Sequence, residues 1–327
     1  MMRLMFNAIG QSEAGELPED FQDVYDGSKF SNSYTYSTGI RSSGSEFKFN
    51  YSGTSLTLKG EVTVVGSAES KAIFVEVDGV LFQRVDIANS VTEHPITLPS
   101  GNKVVSIIDG IAQSNNGVAI KGTWLRYCEL DVNRFSYITE GQLSERVVFI
   151  SDSIGNGGQA VNRTIDGAAY LFRKDNIESA VLGWGIGQYS QMASTPQQIS
   201  NSVSWFTSLF SNVTTKKAVF TLGTNDWGVP STPVAASVVS GWMADLIDAL
   251  YASDNTIQIT VISPLERSGE DSILKDYRTQ FEAVCTARVW ASYIDGFPLV
   301  PLSETTDGLH PNTTGHKTWY DAIKGSI

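Results

Sequence analysis

Cysteine is nearly absent from this sequence: Cys128 and Cys285 are the only two in 327 residues, and they fall in different halves. That excludes a disulfide framework, and with it a metal site built on thiolates. Histidine is almost as scarce, with only His94, His310 and His316, so chemistry that rests on imidazole has few places to sit. No stretch approaches the roughly 18 consecutive apolar residues that a membrane-crossing helix needs. Positive charge is also short. Residues 1–143 carry 11 basic against 17 acidic side chains, residues 144–327 carry 12 against 18, and the net charge is −12. With no basic stripe, neither nucleic acid nor an anionic membrane surface is expected as a partner. The opening segment, MMRLMFNAIGQSEAGELPED, has one Arg and a short apolar patch but no long hydrophobic region with a cleavage site. It is not expected to be a secretion leader.

What is present is an ordinary globular composition, 41% hydrophobic and 18% charged, with 29 Gly and 10 Pro marking many turns. The length suits two domains of roughly 100–200 residues each. The texture changes near residue 140. Before it, short alternating runs recur between turn residues. In Glu46-Phe47-Lys48-Phe49-Asn50-Tyr51 every second place is aromatic, which gives one aromatic and one polar sheet face. Val77-Asp78-Gly79 and Pro99-Ser100-Gly101 read as hairpin turns. Residues 1–140 are therefore expected to form an all-β sandwich or jelly roll, with residues 1–28 as an acidic arm or edge segment and 137–144 as a linker.

After Glu145, strands and helices alternate. Strands are expected at 147–151, 178–185, 218–223, 256–263 and 289–295. Helices are expected at 159–174, 196–211, 234–252, 270–287 and 315–324. This rhythm implies that residues 141–327 form a parallel sheet with helices on both faces. Ligands of such sheets sit beyond the carboxyl ends of the strands.

Three segments at those ends carry chemistry. Ser151-Asp152-Ser153-Ile154-Gly155-Asn156-Gly157-Gly158 directly follows the first strand; Ser153 there can be a nucleophile or a helix N-cap. Leu222-Gly223-Thr224-Asn225-Asp226-Trp227 ends the third strand; the Asn225 amide can hold an oxyanion or close an Asx turn. Thr306-Asp307-Gly308-Leu309-His310-Pro311-Asn312 precedes the last helix. An Asp three residues before a His can place its carboxylate on Nδ1 and leave Nε2 free to take a serine proton; the alternative is a polar loop with a satisfied His.

Order and motifs together resemble the SGNH (GDSL) hydrolases over residues 145–327. Ser-Asp-Ser-Ile at 151–154 resembles the first block, with Ser151 where the family usually has Gly. Gly-Thr-Asn-Asp at 223–226 resembles the third block. Asp-Gly-Leu-His-Pro-Asn at 307–312, followed by Gly315-His316, resembles the last. The second block falls in Gly183–Gln188. The resemblance implies a flavodoxin-like α/β/α domain with a five-stranded parallel sheet. It implies Ser153 as nucleophile, His310 as base and Asp307 behind it. The oxyanion hole would be the N–H of Ser153, the N–H of Gly187 (Gly185 is the alternative) and the Asn225 side chain. No metal or organic cofactor is implied.

The front domain, through FNYSGTSLTLKG, VEVDG and GVAIKGTWL, resembles the N-terminal jelly roll of carbohydrate esterase family 2. That implies a carbohydrate acetylesterase acting on an acetylated polysaccharide, with Trp184 and Trp227 as an aromatic rim for a sugar or as sheet-edge packing. Asp152, Asn156 and Asp226 are expected to shape loops, and His94 to lie on a surface strand. The alternatives are a catalytically silent carbohydrate-binding or virion protein, and a lipase or thioesterase of the same fold. An extracellular enzyme or a phage virion component fits the expected compartment. The oligomeric state is undetermined.

Overall fold

The computed structural model describes residues 21–23, 30–31, 46–63, 72–87, 92–108, 113–115, 119–138, 143–162, 165–175, 178–183, 187–210 and 213–327. The front part is built from strands β1 (Phe21–Asp23), β2 (Phe30–Ser31), β3 (Glu46–Tyr51), β4 (Ser55–Thr63), β5 (Ala72–Val77), β6 (Val80–Asp86), β7 (Thr92–Thr97), β8 (Lys103–Ile108), β9 (Gln113–Asn115), β10 (Ala119–Asp131) and β11 (Phe135–Tyr137). They form two antiparallel sheets. One runs β1-β10-β4-β7, with β9 on β10; the other runs β11-β3-β8-β5-β6, with β2 on β3.

The alternation read in β3 is what closes the space between the sheets. Phe47, Phe49 and Tyr51 are buried and Asn50 is exposed. They share a core with Leu56 and Leu58 of β4, Val105 and Ile107 of β8, and Cys128 and Leu130 of β10. Each such aliphatic or aromatic side chain contributes roughly 1.5–3 kcal/mol on burial. β5 is buried on both faces: Ile73 and Val75 enter this core, while Ala72 and Phe74 face outward onto Ile165 of the second part.

The second part carries the parallel sheet, from β12 (Leu143–Ser151), β13 (Glu178–Gly183), β14 (Val213–Thr221), β15 (Ile257–Ile262) and β16 (Ala291–Ile294). The spatial order is β13-β12-β14-β15-β16, and every neighbouring pair is parallel. The helices are α1 (Ala168–Leu171), α2 (Tyr189–Ala193), α3 (Pro196–Ser208), α4 (Thr224–Gly228), α5 (Ala236–Ser253), α6 (Ser272–Thr286) and α7 (Thr313–Ile323). Two cores flank the sheet. Met243, Leu246, Ile247 and Leu250 of α5 pack with Phe281 of α6 on one face. Trp319 and Ile323 of α7 pack with Phe149 and Phe172 on the other. Among the described residues no helix is long and apolar enough to cross a membrane.

Two expectations are corrected. Residues 159–174 do not form one helix. Gly157 and Gln159 take left-handed φ values of 75° and 67°, the chain turns through 159–162, and only Ala168–Leu171 is α-helical before a 3₁₀ turn at Phe172–Asp175. The apolar residues that mimic a helical stripe there are divided between two neighbours, because Ile165 packs on the front sheet while Tyr170 and Phe172 pack on the parallel one. The turn at Pro99–Gly101 is not a hairpin either. β7 pairs with β4 and β8 pairs with β3 and β5, so the chain crosses there from one sheet to the other. The hairpin at Asp78-Gly79 does join partners, β5 and β6, with both turn residues at positive φ. Of residues 1–28 only 21–23 are described, as strand β1 beside β10; of the expected linker, 139–142 lie outside the described residues, while Tyr137 ends β11 and Leu143 opens β12.

Candidate active site

In the order β13-β12-β14 the chain leaves β12 on one side for β13 and later crosses back to β14. Connections therefore diverge between β12 and β14, and a crevice opens at their carboxyl ends. Ser153 follows β12 and Asn225 follows β14, so both sit at that crevice. His310 arrives from the far side, on the loop that enters α7. Ser153 Oγ lies 2.9 Å from His310 Nε2, and His310 Nδ1 lies 2.7 Å from Asp307 Oδ2.

The His loop is built to make that approach. Asp307 Oδ1 accepts the N–H groups of Leu309 (3.0 Å) and His310 (2.8 Å), leaving Oδ2 for the imidazole. Gly308 supplies the left-handed residue between them, with φ 76°. Burial pushes the Asp307 carboxyl up, but the bonds from the His310 N–H and ring outweigh it and hold the group below the ordinary carboxylate range. With Nδ1–H held by an ionised carboxylate, Nε2 is the basic nitrogen and faces the serine hydroxyl. Gly158 leaves room for the ring: a Cβ there would stand 3.1 Å from His310 Cδ2 and 2.7 Å from the Ser153 carbonyl oxygen.

Ser151, the departure from the family's usual glycine, has its own accommodation. A Cβ on Gly155 would lie 1.9 Å from Ser151 Oγ, so the Ser151 side chain fills the space that glycine leaves open at 155. The Ser151 hydroxyl also accepts from Thr221 of β14. Behind the nucleophile, the buried Asp152 accepts from the Ile154 N–H at 2.9 Å. Burial raises its carboxyl to about 7. Buried Asp226 accepts from Tyr189 N (2.9 Å) and Ser190 N (3.0 Å) and so caps α2; burial raises its pKa also. These two residues shape loops, as expected from sequence.

Gly187 comes closer to β12 than any other residue type could. Its missing Cβ would be 2.4 Å from the Ser151 carbonyl oxygen. The Asn225 amide donates to the Gly187 carbonyl at 3.3 Å, and Gln188 Nε2 donates to the Asn225 carbonyl at 2.8 Å. Gly187 and Asn225 are thus held to each other beside the end of β12, which leads into Ser153. Among the described residues nothing accepts from the backbone N–H of Ser153 or Gly187.

Trp184 and Gly185 lie outside the described residues. Trp227 is half-buried against the α5–α6 core. Its Nε1 donates to Asp271 at 2.7 Å, and its ring lies under the Arg267 guanidinium, 4.3 Å from centroid to Cζ. The indole is a fixed wall and not a free platform. His94 pairs in β7 opposite Leu58, half-exposed, away from the crevice.

Sequence reasoning placed His316 in the last block without a role, and it missed Arg267. His316 is buried and bridges two loops: its Nδ1 accepts from Ala168 N at 3.3 Å and its Nε2 donates to the Gly158 carbonyl at 3.1 Å. Its signal was its position one helical turn into α7, facing the nucleophile loop. Arg267 sits on the loop after β15, another strand carboxyl end, in Ser-Pro-Leu-Glu-Arg, where the only signal was the end-of-strand rule. Among the described residues no cluster of three His, Cys, Asp or Glu side chains is arranged to hold a metal ion.

No family model matches the sequence, and no curated protein matches it. Solved structures do. A family two carbohydrate esterase from Clostridium thermocellum, in complex with cellohexaose, superposes with TM-score 0.65 at 15% identity, covering 88% of this chain and 92% of that one. An acetyl xylan esterase from Butyrivibrio proteoclasticus gives 0.63 at 12%, covering 94% and 98%. A salicylyl-acyltransferase from a tetracycline biosynthetic pathway gives 0.66 at 16%, covering 86% and 81%. The likeness is one of fold: this chain has an SGNH-hydrolase-like fold.

Proposed function

We propose that this protein is a serine esterase that removes acetyl or other short acyl groups from a carbohydrate, with residues 1–140 forming a jelly roll and residues 141–327 the flavodoxin-like catalytic domain. The observation that carries the reading is the relay Ser153 Oγ, His310 Nε2, Asp307 Oδ2, with spacings of 2.9 and 2.7 Å. His310 takes the Ser153 proton as the oxygen attacks the ester carbonyl. The Ser153 and Gly187 N–H groups and the Asn225 amide, released from the Gly187 carbonyl, hold the negative oxygen that forms. His310 returns the proton to the leaving alcohol. Water, deprotonated by the same imidazole, then releases the acid from Ser153. The carbohydrate assignment draws support from the fold neighbours, among them a carbohydrate esterase and an acetyl xylan esterase by name. The intact relay argues against a silent binding or virion protein.

Hydrolysis of p-nitrophenyl esters from acetate to octanoate tests the reading, wild type beside Ser153→Ala. Turnover that is fastest on acetate and lost in the variant is expected. No serine-dependent turnover on any ester would overturn the esterase reading, and a preference for octanoate would point to a lipase. The acyltransferase among the fold neighbours favours one second reading, in which an alcohol instead of water takes the acyl group. Adding sugar acceptors to the acetate assay separates the two: transfer makes acetylated sugar at the expense of free acetate.

A further inference from the structure

A cation near Asp307 is not used by the relay. Arg267 belongs to the loop between β15 and α6, and that loop is pinned on both sides. Ser268 N donates to the Gly308 carbonyl at 2.7 Å, joining it to the His310 loop. Arg278 donates to the carbonyls of Pro264 (2.9 Å) and Leu265 (3.0 Å), fixing its base. On its other side Arg267 lies over Trp227, two residues beyond Asn225, and a Cβ on Gly228 would be 3.0 Å from its Nη1. The guanidinium thus lies over Trp227, on a loop tied to the His310 loop.

It is held without a counter-ion. Among the described residues no carboxylate lies within ion-pair distance, and the buried Nε has no hydrogen-bond partner. Of the acids on the same loop, Glu266 is chain-adjacent and makes no ion pair with Arg267, and Glu270 is taken by Arg278 at 2.9 Å. Asp271 is taken by Trp227 and by the first turn of α6. Asp307 faces His310. Burial lowers the Arg267 pKa, and the fields of Asp307 and Glu270 only partly offset that. A planar guanidinium on an indole face, with an uncommitted edge, is a receptor for a carboxylate. His310 delivers its proton to the leaving alcohol, so the side of the crevice next to the His loop takes the sugar and not the acyl group.

We propose that Arg267 binds a carboxylate on the sugar and that the substrate is an acylated acidic glycan of the uronic acid class. This rests on the esterase reading and deepens it. The test compares kcat/KM on O-acetylated oligogalacturonides and on O-acetylated xylo-oligosaccharides of equal length, for wild type, Arg267→Gln and Arg267→Lys. The wild type is expected to favour the acidic substrate by about 10–100-fold, the range of a charge-assisted bidentate contact. Arg267→Gln brings that ratio near one, mainly through KM on the acidic substrate, and Arg267→Lys retains part of it. Raising NaCl from 20 to 500 mM narrows the wild-type ratio. Unacetylated oligogalacturonides inhibit the wild type more strongly than xylo-oligosaccharides, a readout that stands even if the variants fail to fold.

A wild-type ratio near one, or an Arg267→Gln variant that slows both substrates in parallel, would overturn the proposal; the second outcome would make Arg267 a positioning residue for Trp227 or Asp307. A preference for hemisuccinate over acetate esters of one neutral alcohol would also overturn it, by putting the carboxylate on the acyl side. Failure of the esterase reading looks different: no Ser153-dependent p-nitrophenyl acetate turnover at all.

Discussion

Asp152 and Asp226 stand directly behind the reacting groups, and their burial makes the site sensitive to pH in a way the relay alone would not be. Asp152 carries a carboxyl raised from 3.8 to about 7 by burial. A raised carboxyl means that the native state keeps a proton the unfolded chain gives up. Its stabilising contribution is whole below about pH 4 and is lost as pH climbs to about 7. Asp152→Asn keeps an acceptor for the Ile154 N–H and removes the titration. Its Tm relative to wild type is expected to rise between pH 4 and 7 and to level off above; a difference flat with pH would disprove the assignment. Asp307 behaves in the opposite sense, being held below the ordinary range and ionised through neutral pH. Asp307→Asn presents an amide to Nδ1 and favours the wrong tautomer, with an expected kcat loss of about 10⁴-fold on p-nitrophenyl acetate, the scale known for such a relay. Asn225→Ala removes one oxyanion donor, and kcat should fall by about 10²–10³-fold with a smaller change in KM.

At the scale of elements, the site depends on how closely the loop before α2 approaches the end of β12. Gly187 meets backbone there, not a flexible side chain. Gly187→Ala must push the segment off the rim and is expected to lower kcat by about 10²-fold, comparable to losing its N–H as a donor. The same elements show what a sequence can and cannot convey. The parallel strands and most helices of the second part are legible because the short continuous run Val147–Ile150 feeds both cores of the sheet, as a doubly covered strand must, and the stripe Trp242, Leu246, Ile247, Leu250 keeps helical spacing against one core. Residues 159–174 were misread because their apolar residues answer to two neighbours, which periodicity cannot distinguish. The Pro99–Gly101 crossing was misread because a turn signal states that the chain reverses but not which sheet receives it. Ser153 and Asn225 follow neighbouring parallel strands, whose order right-handed crossovers govern, and His310 reaches Ser153 from the loop entering α7. Arg267 stayed hidden because its meaning lies in partners it lacks, and only tertiary structure lists those.

At the scale of the molecule, the front sheets do more than cover an edge. Glu76 of β5 pairs with Arg173 of the 3₁₀ turn after α1 at 2.8 Å, and both side chains are almost fully buried. Phe74 packs on Ile165 beside that pair, and Arg84 reaches the Val161 carbonyl at 3.3 Å. All three contacts land on the segment between the nucleophile loop and β13. That segment holds the Ala168 N–H, which fixes His316, and His316 in turn holds the Gly158 carbonyl at the back of the nucleophile loop. A continuous set of contacts therefore runs from the front sheet to Ser153. Cutting it at the ion pair leaves a buried guanidinium without its carboxylate, a change that costs about 3–5 kcal/mol. Glu76→Ala is expected to lose that much in urea unfolding. Glu76→Ala with Arg173→Met, which removes both charges, should recover a large part of it. If the front sheets also steady the nucleophile loop, the single variant lowers kcat on p-nitrophenyl acetate at temperatures well below its Tm, and the double variant restores it. Full kcat in the single variant would limit the front sheets to a role in stability and leave the geometry at Ser153 to the parallel sheet alone.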